Sequence, residues 1–290
     1  MACRRGPARW RTRRETLSAV RSTPDDAPGV DRWLLNNVPQ WGLVLLLIGG
    51  AIVIGVGGFL LMRRFVPSLG RNADSRSLSS AFGMSSGLFS FVLAFTIGQL
   101  YANFTRANAD AKQEASVLAQ VLRSSEGLPG IGVTIRQESL DYAREVRTNE
   151  WQLMKDGHAS VRAWQDIDRI YATLEAGRVK YGSNPFYSQT LARMNDLVVA
   201  RRTRLDDANL SLPPLFAVIL VFGAALALST TYYFKPFGEG IQIAMIGAAS
   251  VLVGTAMFVA LGLDYPYSGS IAVSSSPFKT ATLILLSGSG

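Results

Sequence analysis

Four stretches of this chain run apolar with no charged residue to interrupt them. Trp41–Met62, Ser80–Phe104, Leu212–Phe234 and Ile241–Leu263 contain no Asp, Glu, Lys, Arg or His. At about 1.5 Å per residue, each is long enough as a helix to cross a hydrocarbon core of about 30 Å. A surface helix of a soluble protein keeps a charged face. These stretches keep none, so the pattern predicts an all-α integral membrane protein with four transmembrane helices. Between the second and third spans the pattern changes to apolar stripes at helical spacing among charged residues, which predicts a cytoplasmic helical layer.

The organisation follows from these changes. Residues 1–32 form a basic N-terminal tail of low apolar content, expected to be disordered. Residues 33–104 hold the first two spans, 105–211 the helical layer, 212–263 the last two spans, and 264–290 a cytoplasmic tail. Span two has no stop signal at its polar end, and one long helix is expected through Arg123, broken at Gly127-Leu128-Pro129-Gly130. Three further helices follow, near Val133–Asp156, Ser160–Ala176 and Pro185–Asn209. Gly157 suits a left-handed C-cap, while Asn184-Pro185 offers an N-cap and a first-turn proline.

Charge places the chain in the membrane. The net charge is +8, and the first forty residues hold eight Arg against four acids. Thr105–Ser211 is nearly balanced, with fifteen bases and fourteen acids. The excess of positive charge therefore lies beside the spans and points to the lipid bilayer, with no nucleic-acid partner expected. The N-terminal cluster with Arg106, Lys112, Arg201, Arg202 and Arg204 outweighs Arg63, Arg64, Arg71, Arg76 and Lys235. The positive-inside rule then places both termini in the cytoplasm of a plasma (inner) membrane. Arg13-Arg14 lies 27 residues before an apolar run too long for a signal peptide, so no export signal is expected.

No catalytic constellation is present. Cys3 is the only cysteine and His158 the only histidine, so no intrachain disulfide, clustered metal site or cofactor is expected. The spans carry no ionisable relay, which argues against a proton-coupled pump. Span two is the most polar. Thr96, Gln99 and Asn103 share one of its faces, and either line a wet path for small ions or bond a neighbouring helix. Small residues four apart, such as Ala51 with Gly55 and Ser250 with Gly254, predict close helix packing within one bundle or between copies of a homo-oligomer.

The sharpest pattern is in the helical layer. Arg201 interrupts the stripe Tyr187, Leu191, Met194, Val198, Leu205. Glu150 interrupts Ala143, Val146, Leu153, and Glu114 interrupts Ala107, Ala111, Leu118, Val121. Buried charges must pair. The pattern predicts a buried Glu114/Glu150–Arg201 cluster joined by Arg204, unless the helix phase is off by one residue and all four are solvated.

These motifs resemble a bacterial four-span family of unknown function, the bestrophin-like domain family. The resemblance rests on Arg63-Arg64-Phe65-Val66-Pro67, Glu114-Ala115, Glu150-Trp151, Arg201 with Arg204, and Asp264–Ile271 followed by Pro277-Phe278. It covers about Trp33–Phe278 and implies kinship with bestrophin anion channels, hence a possible oligomeric, non-enzymatic pore. A membrane-anchored scaffold or sensor whose cytoplasmic helices bind a protein partner is the alternative. In the Asp264–Ile271 motif, Asp264, Pro266 and Gly269 are expected to form a turn and an extended strand that cap the cytoplasmic mouth of the bundle.

Overall fold

A computed structural model describes residues 30–65, 75–233 and 238–288. The expected basic tail falls almost wholly outside these residues, as do most of the loop between the first two spans and the tip of the last hairpin. The described residues are helical, with no strand among them. In chain order the helices are α1 (Val30–Asn37), α2 (Gln40–Phe65), α3 (Ser75–Ser125), α4 (Ile131–Glu145), α5 (Trp151–Leu153), α6 (Val161–Tyr181), α7 (Pro185–Asp207), α8 (Pro214–Thr230), α9 (Glu239–Asp264) and α10 (Thr280–Ser287).

Among the described residues, three helices are long and apolar enough to cross a membrane: α2, the Gly83–Ser125 part of α3, and α9. The fourth apolar helix, α8, has 17 residues. Proline at its first turn sets its start, and its far end tightens into a 3-10 turn over Thr231–Tyr233. At 51 residues α3 is about 76 Å long, more than twice a hydrocarbon core of about 30 Å. Its second half therefore leaves the bilayer and becomes the central strut of the remaining helices.

Two seams hold the molecule together. In the apolar half α2 packs along α9 through small residues. An added Cβ on Gly254 would meet the Ile48 backbone at 2.7 Å, and one on Gly55 would meet Ser250 Oγ at 2.2 Å. These small residues thus serve packing inside one chain. In the other half, Ala107, Ala111, Ala115, Leu118 and Leu122 recur along one face of α3 and are buried. They bring α3 close to α7, which presents Tyr187, Thr190, Met194, Leu197, Arg201 and Arg204. Helices α4 and α6 complete this core.

Local chemistry explains the breaks. Gly157 has φ 78°, the left-handed region that favours glycine, and ends the α4–α5 run. Ser160 Oγ accepts from Ala163 N at 3.3 Å to cap α6, and Asn184 Oδ1 accepts from Phe186 N at 2.9 Å to cap α7. The run expected as one helix near Val133–Asp156 is interrupted. Residues Val146–Glu150 form a π-turn, and Met154–Asp156 a 3-10 turn. The π-turn adds a residue to the turn and shifts the phase. Leu153, assigned to the apolar stripe by its spacing, is 41% exposed, and Met154 is buried in its place.

Two helices differ from the sequence-based expectation. Helix α1 begins at Val30, inside the expected tail, and is anchored where Arg32 Nη2 donates to Ala208 O at 2.8 Å. Helix α10 lies in the expected tail and packs against α3, with Leu283 and Ser287 buried.

Candidate functional site: a paired-charge cluster on the membrane-leaving helix

Glu114 on α3, Glu150 at the end of the π-turn, and Arg201 and Arg204 on α7 meet in one place, and each has zero exposure. Arg201 holds Glu150 with two nitrogens, Nη1 to Oε1 at 3.0 Å and Nη2 to Oε2. Arg204 Nε donates to Glu114 Oε2 at 2.5 Å and Nη2 to Glu114 Oε1 at 3.2 Å, and Nη2 also reaches Glu150. Arg204 therefore bridges both carboxylates. Two cations and two anions leave the cluster neutral, the condition under which charge is tolerated in a protein interior.

The surrounding groups satisfy most of what the ion pairs leave open, while Arg201 Nε is buried without a hydrogen-bond partner. Tyr142 Oη donates to Glu114 Oε1 at 2.5 Å and accepts from Arg201 Nη1 at 3.3 Å. Ser160 supplies its N–H to Glu150 Oε2 at 3.1 Å and its carbonyl to Arg201 Nη2 at 3.2 Å. Aromatic faces cover the cations, Trp164 at 4.6 Å from Arg201 and Trp151 at 5.2 Å from Arg204. Burial alone would lower the pKa of both guanidinium groups. The facing carboxylates and the Tyr142 hydroxyl outweigh it and hold both above the ordinary value. Burial, then the Glu114 charge, push the Tyr142 hydroxyl well up, so it stays a donor.

Tyr142, Ser160, Trp164 and Met154, whose Sδ accepts from Arg204 Nη1 at 2.6 Å, are absent from the sequence reading of this site. Tyr142 was within reach, because it lies about two helical turns before Glu150 on the same face. Ser160 carries a capping signal, but capping gives no hint of its contact with the Glu150 carboxylate.

The C-terminal motif sits beside this cluster. Asp264 Oδ1 accepts from Leu212 N at 2.7 Å, tying the end of α9 to the approach to α8. Pro266 lies in a turn closed by Val273 N donating to Pro266 O at 2.8 Å, and Gly269 takes φ 74°. The extended strand expected within Asp264–Ile271 is absent: residues 265–271 are bends and turns, and Ser276–Phe278 form a 3-10 turn. The segment lies against the helical layer. Tyr267 Oη donates to Ala107 O at 3.1 Å, and Trp151 Nε1 donates to Val273 O at 3.0 Å. Tyr267 and Phe278 pack on Trp151 with ring centres 5.5 and 5.7 Å away.

The polar residues of span two divide. Thr96 is 2% exposed and donates to Val92 O of its own helix at 2.8 Å. Gln99 and Asn103 are exposed on the outside of α3, in line with Leu88, Phe91 and Phe95. The structure thus does not bring Thr96 into one exposed surface with the two amides.

Long apolar helices joined to a packed polar helical layer define a helical membrane protein. A bestrophin-like domain model matches residues 49–278, and the chain belongs to that family. Among solved structures, a bacterial bestrophin homolog from Klebsiella pneumoniae matches with a TM-score of 0.65 at 12% identity, covering 84% of this chain and 98% of that one. A variant of that homolog matches with a TM-score of 0.62 at 14% identity, again over 84% and 98%. At such identity the likeness concerns the fold. No curated protein matches.

Proposed function

We propose that this protein is a non-enzymatic, passive ion pore of the bacterial plasma membrane, assembled from several copies with four spans each. Helix α3 lines the path in this reading. The carrying observation is that α3 alone runs from the apolar half into the paired-charge seam while presenting two amide side chains, Gln99 and Asn103, on an exposed face of a membrane-length helix. Amide N–H groups can replace part of an anion's hydration shell without trapping it as a fixed charge would. The fold shared with a bestrophin homolog supports the same reading. Gln99→Leu combined with Asn103→Leu is expected to lower chloride flux into liposomes several-fold while assembly is kept. Unchanged flux would remove α3 as the lining.

The charge asymmetry supports a topology in which both termini and the α4–α7 layer face the cytoplasm. A cysteine at Gly238 is then expected to react with an impermeant reagent on intact cells, and one at Ser183 to stay unlabelled. Labelling at Ser183 alone would invert the arrangement.

The alternative is a membrane-anchored scaffold or sensor. It is favoured by exposed Val133, Val179 and Phe186 on α4, α6 and α7. Binding of a protein partner that Val179→Asp abolishes, in a preparation without ion flux, would favour it over the pore.

A further inference from the structure

One turn along the α3–α7 seam from the Glu114–Arg204 pair, toward the bilayer, Asp110 faces Asp207. Asp207 is 3% exposed. Its Oδ2 is buried with no hydrogen-bond partner, and so is Asp110 Oδ2. Two buried carboxyl oxygens, one on each helix, therefore lack a hydrogen-bond donor. Like charges held together out of water cannot both stay ionised at modest cost. A single proton supplies the missing donor for both oxygens at once.

We propose that Asp110 and Asp207 form a one-proton binding site that clamps the foot of α3 to α7 when occupied. The proton comes from solvent and rests on Asp207, whose hydroxyl donates to Asp110. No other bond changes.

The neighbouring charges fit this assignment. From α3, Arg106 Nε lies 3.6 Å from Asp110 Oδ2, but its side chain is 67% exposed and it compensates one carboxylate at most. From α7, Asp206 adds negative charge and favours protonation. From the segment after α9, the Tyr267 hydroxyl is committed to Ala107 O, and from α1, Arg32 donates to Ala208 O. The Glu114–Arg204 pair one turn away is internally neutral. The adjacent arginine also argues against a metal ion at the same place. Burial first, then the Asp110 carboxyl, push the Asp207 carboxyl up to about 7.

The sign follows from the raised value. The folded protein holds the proton up to about pH 7, and an unfolded aspartate releases it near its ordinary value of 3.8. The contribution to stability is complete below about pH 4 and is lost as pH rises toward and through about pH 7. Across that window the folding equilibrium should weaken by about tenfold per pH unit relative to a variant that cannot titrate. The site is independent of conduction and holds whether or not the protein is a pore.

The test uses the purified full-length protein in detergent, with His158→Gln as background to remove the only histidine. Asp207→Asn mimics the protonated carboxyl in shape and donates an N–H to Asp110. The thermal midpoint of the background protein is expected to fall relative to that of Asp207→Asn between about pH 5 and pH 7, and to run parallel to it above about pH 8. An infrared band of a protonated carboxyl should disappear over the same range and be absent from Asp207→Asn. Asp110→Asn should also abolish the pH-dependent difference. Identical pH profiles and identical carboxyl bands in all three proteins would overturn the proposal. So would stabilisation by calcium or magnesium that Asp207→Asn abolishes, since the site would then bind a metal ion.

Discussion

Glu150→Ala is expected to cost about 3–5 kcal/mol of stability, the range for stranding a buried charge. Glu150 accepts from Arg201, Arg204 and the Ser160 N–H, so its loss leaves one guanidinium without a carboxylate and another half-compensated. Arg201→Ala is expected to cost somewhat less, because Glu150 keeps Arg204. The double variant leaves Glu114 and Arg204 as a neutral pair, and its loss should fall well below the sum of the two single losses. Thermal midpoints and protease resistance of the four proteins in detergent measure this cycle. An exposed pair would contribute only about 0–1 kcal/mol, so small additive losses would show that the cluster does not anchor the layer.

Trp151→Ala should produce a loss of similar size with a different signature. Its ring is the floor on which Tyr267 and Phe278 rest, and its Nε1 holds Val273 O. Truncating a buried tryptophan costs about 3–5 kcal/mol, and here the cavity opens beneath a segment that crosses back over α3. Limited proteolysis should therefore cut within residues 264–279 of the variant before any helix is cleaved. Trp151→Phe keeps the ring and loses the donor, and should retain most of the protection. Equal cleavage of wild type and Trp151→Ala would detach the C-terminal segment from this account.

The residues that stand out in the sequence are those that break a pattern. Glu114, Glu150 and Arg201 each occupy an apolar stripe position, and the price of an unpaired buried charge leaves few alternatives to pairing. Arg204 is less visible, since its place follows from a stripe one residue displaced from the one read through Leu205. The phase beyond Glu150 is not legible. A π-turn has no residue signature, and here it ends at Glu150 and Trp151, both of which are buried. The long reach of α3 is legible from the missing stop after Phe104. The strand expected within Asp264–Ile271 is misread because residues 265–271 are bends and turns, with Gly269 at positive φ. Helix α10, with eight residues, is too short for its periodicity to be read.

Thr96 illustrates the limit of facial arguments. It shares a helical face with Gln99 and Asn103, but it sits where neighbouring helices cover α3, and its hydroxyl turns to the backbone of the preceding turn. Whether a polar residue in a span meets water depends on its neighbours as much as on its own helix.

The central claim is that copies of this chain enclose an ion path along α3. Purified protein fused into a planar bilayer tests it directly. Discrete chloride current steps that Gln99→Leu reduces are the result expected of a pore lined by α3. Membranes with reconstituted, oligomeric protein and no current above protein-free membranes would contradict it.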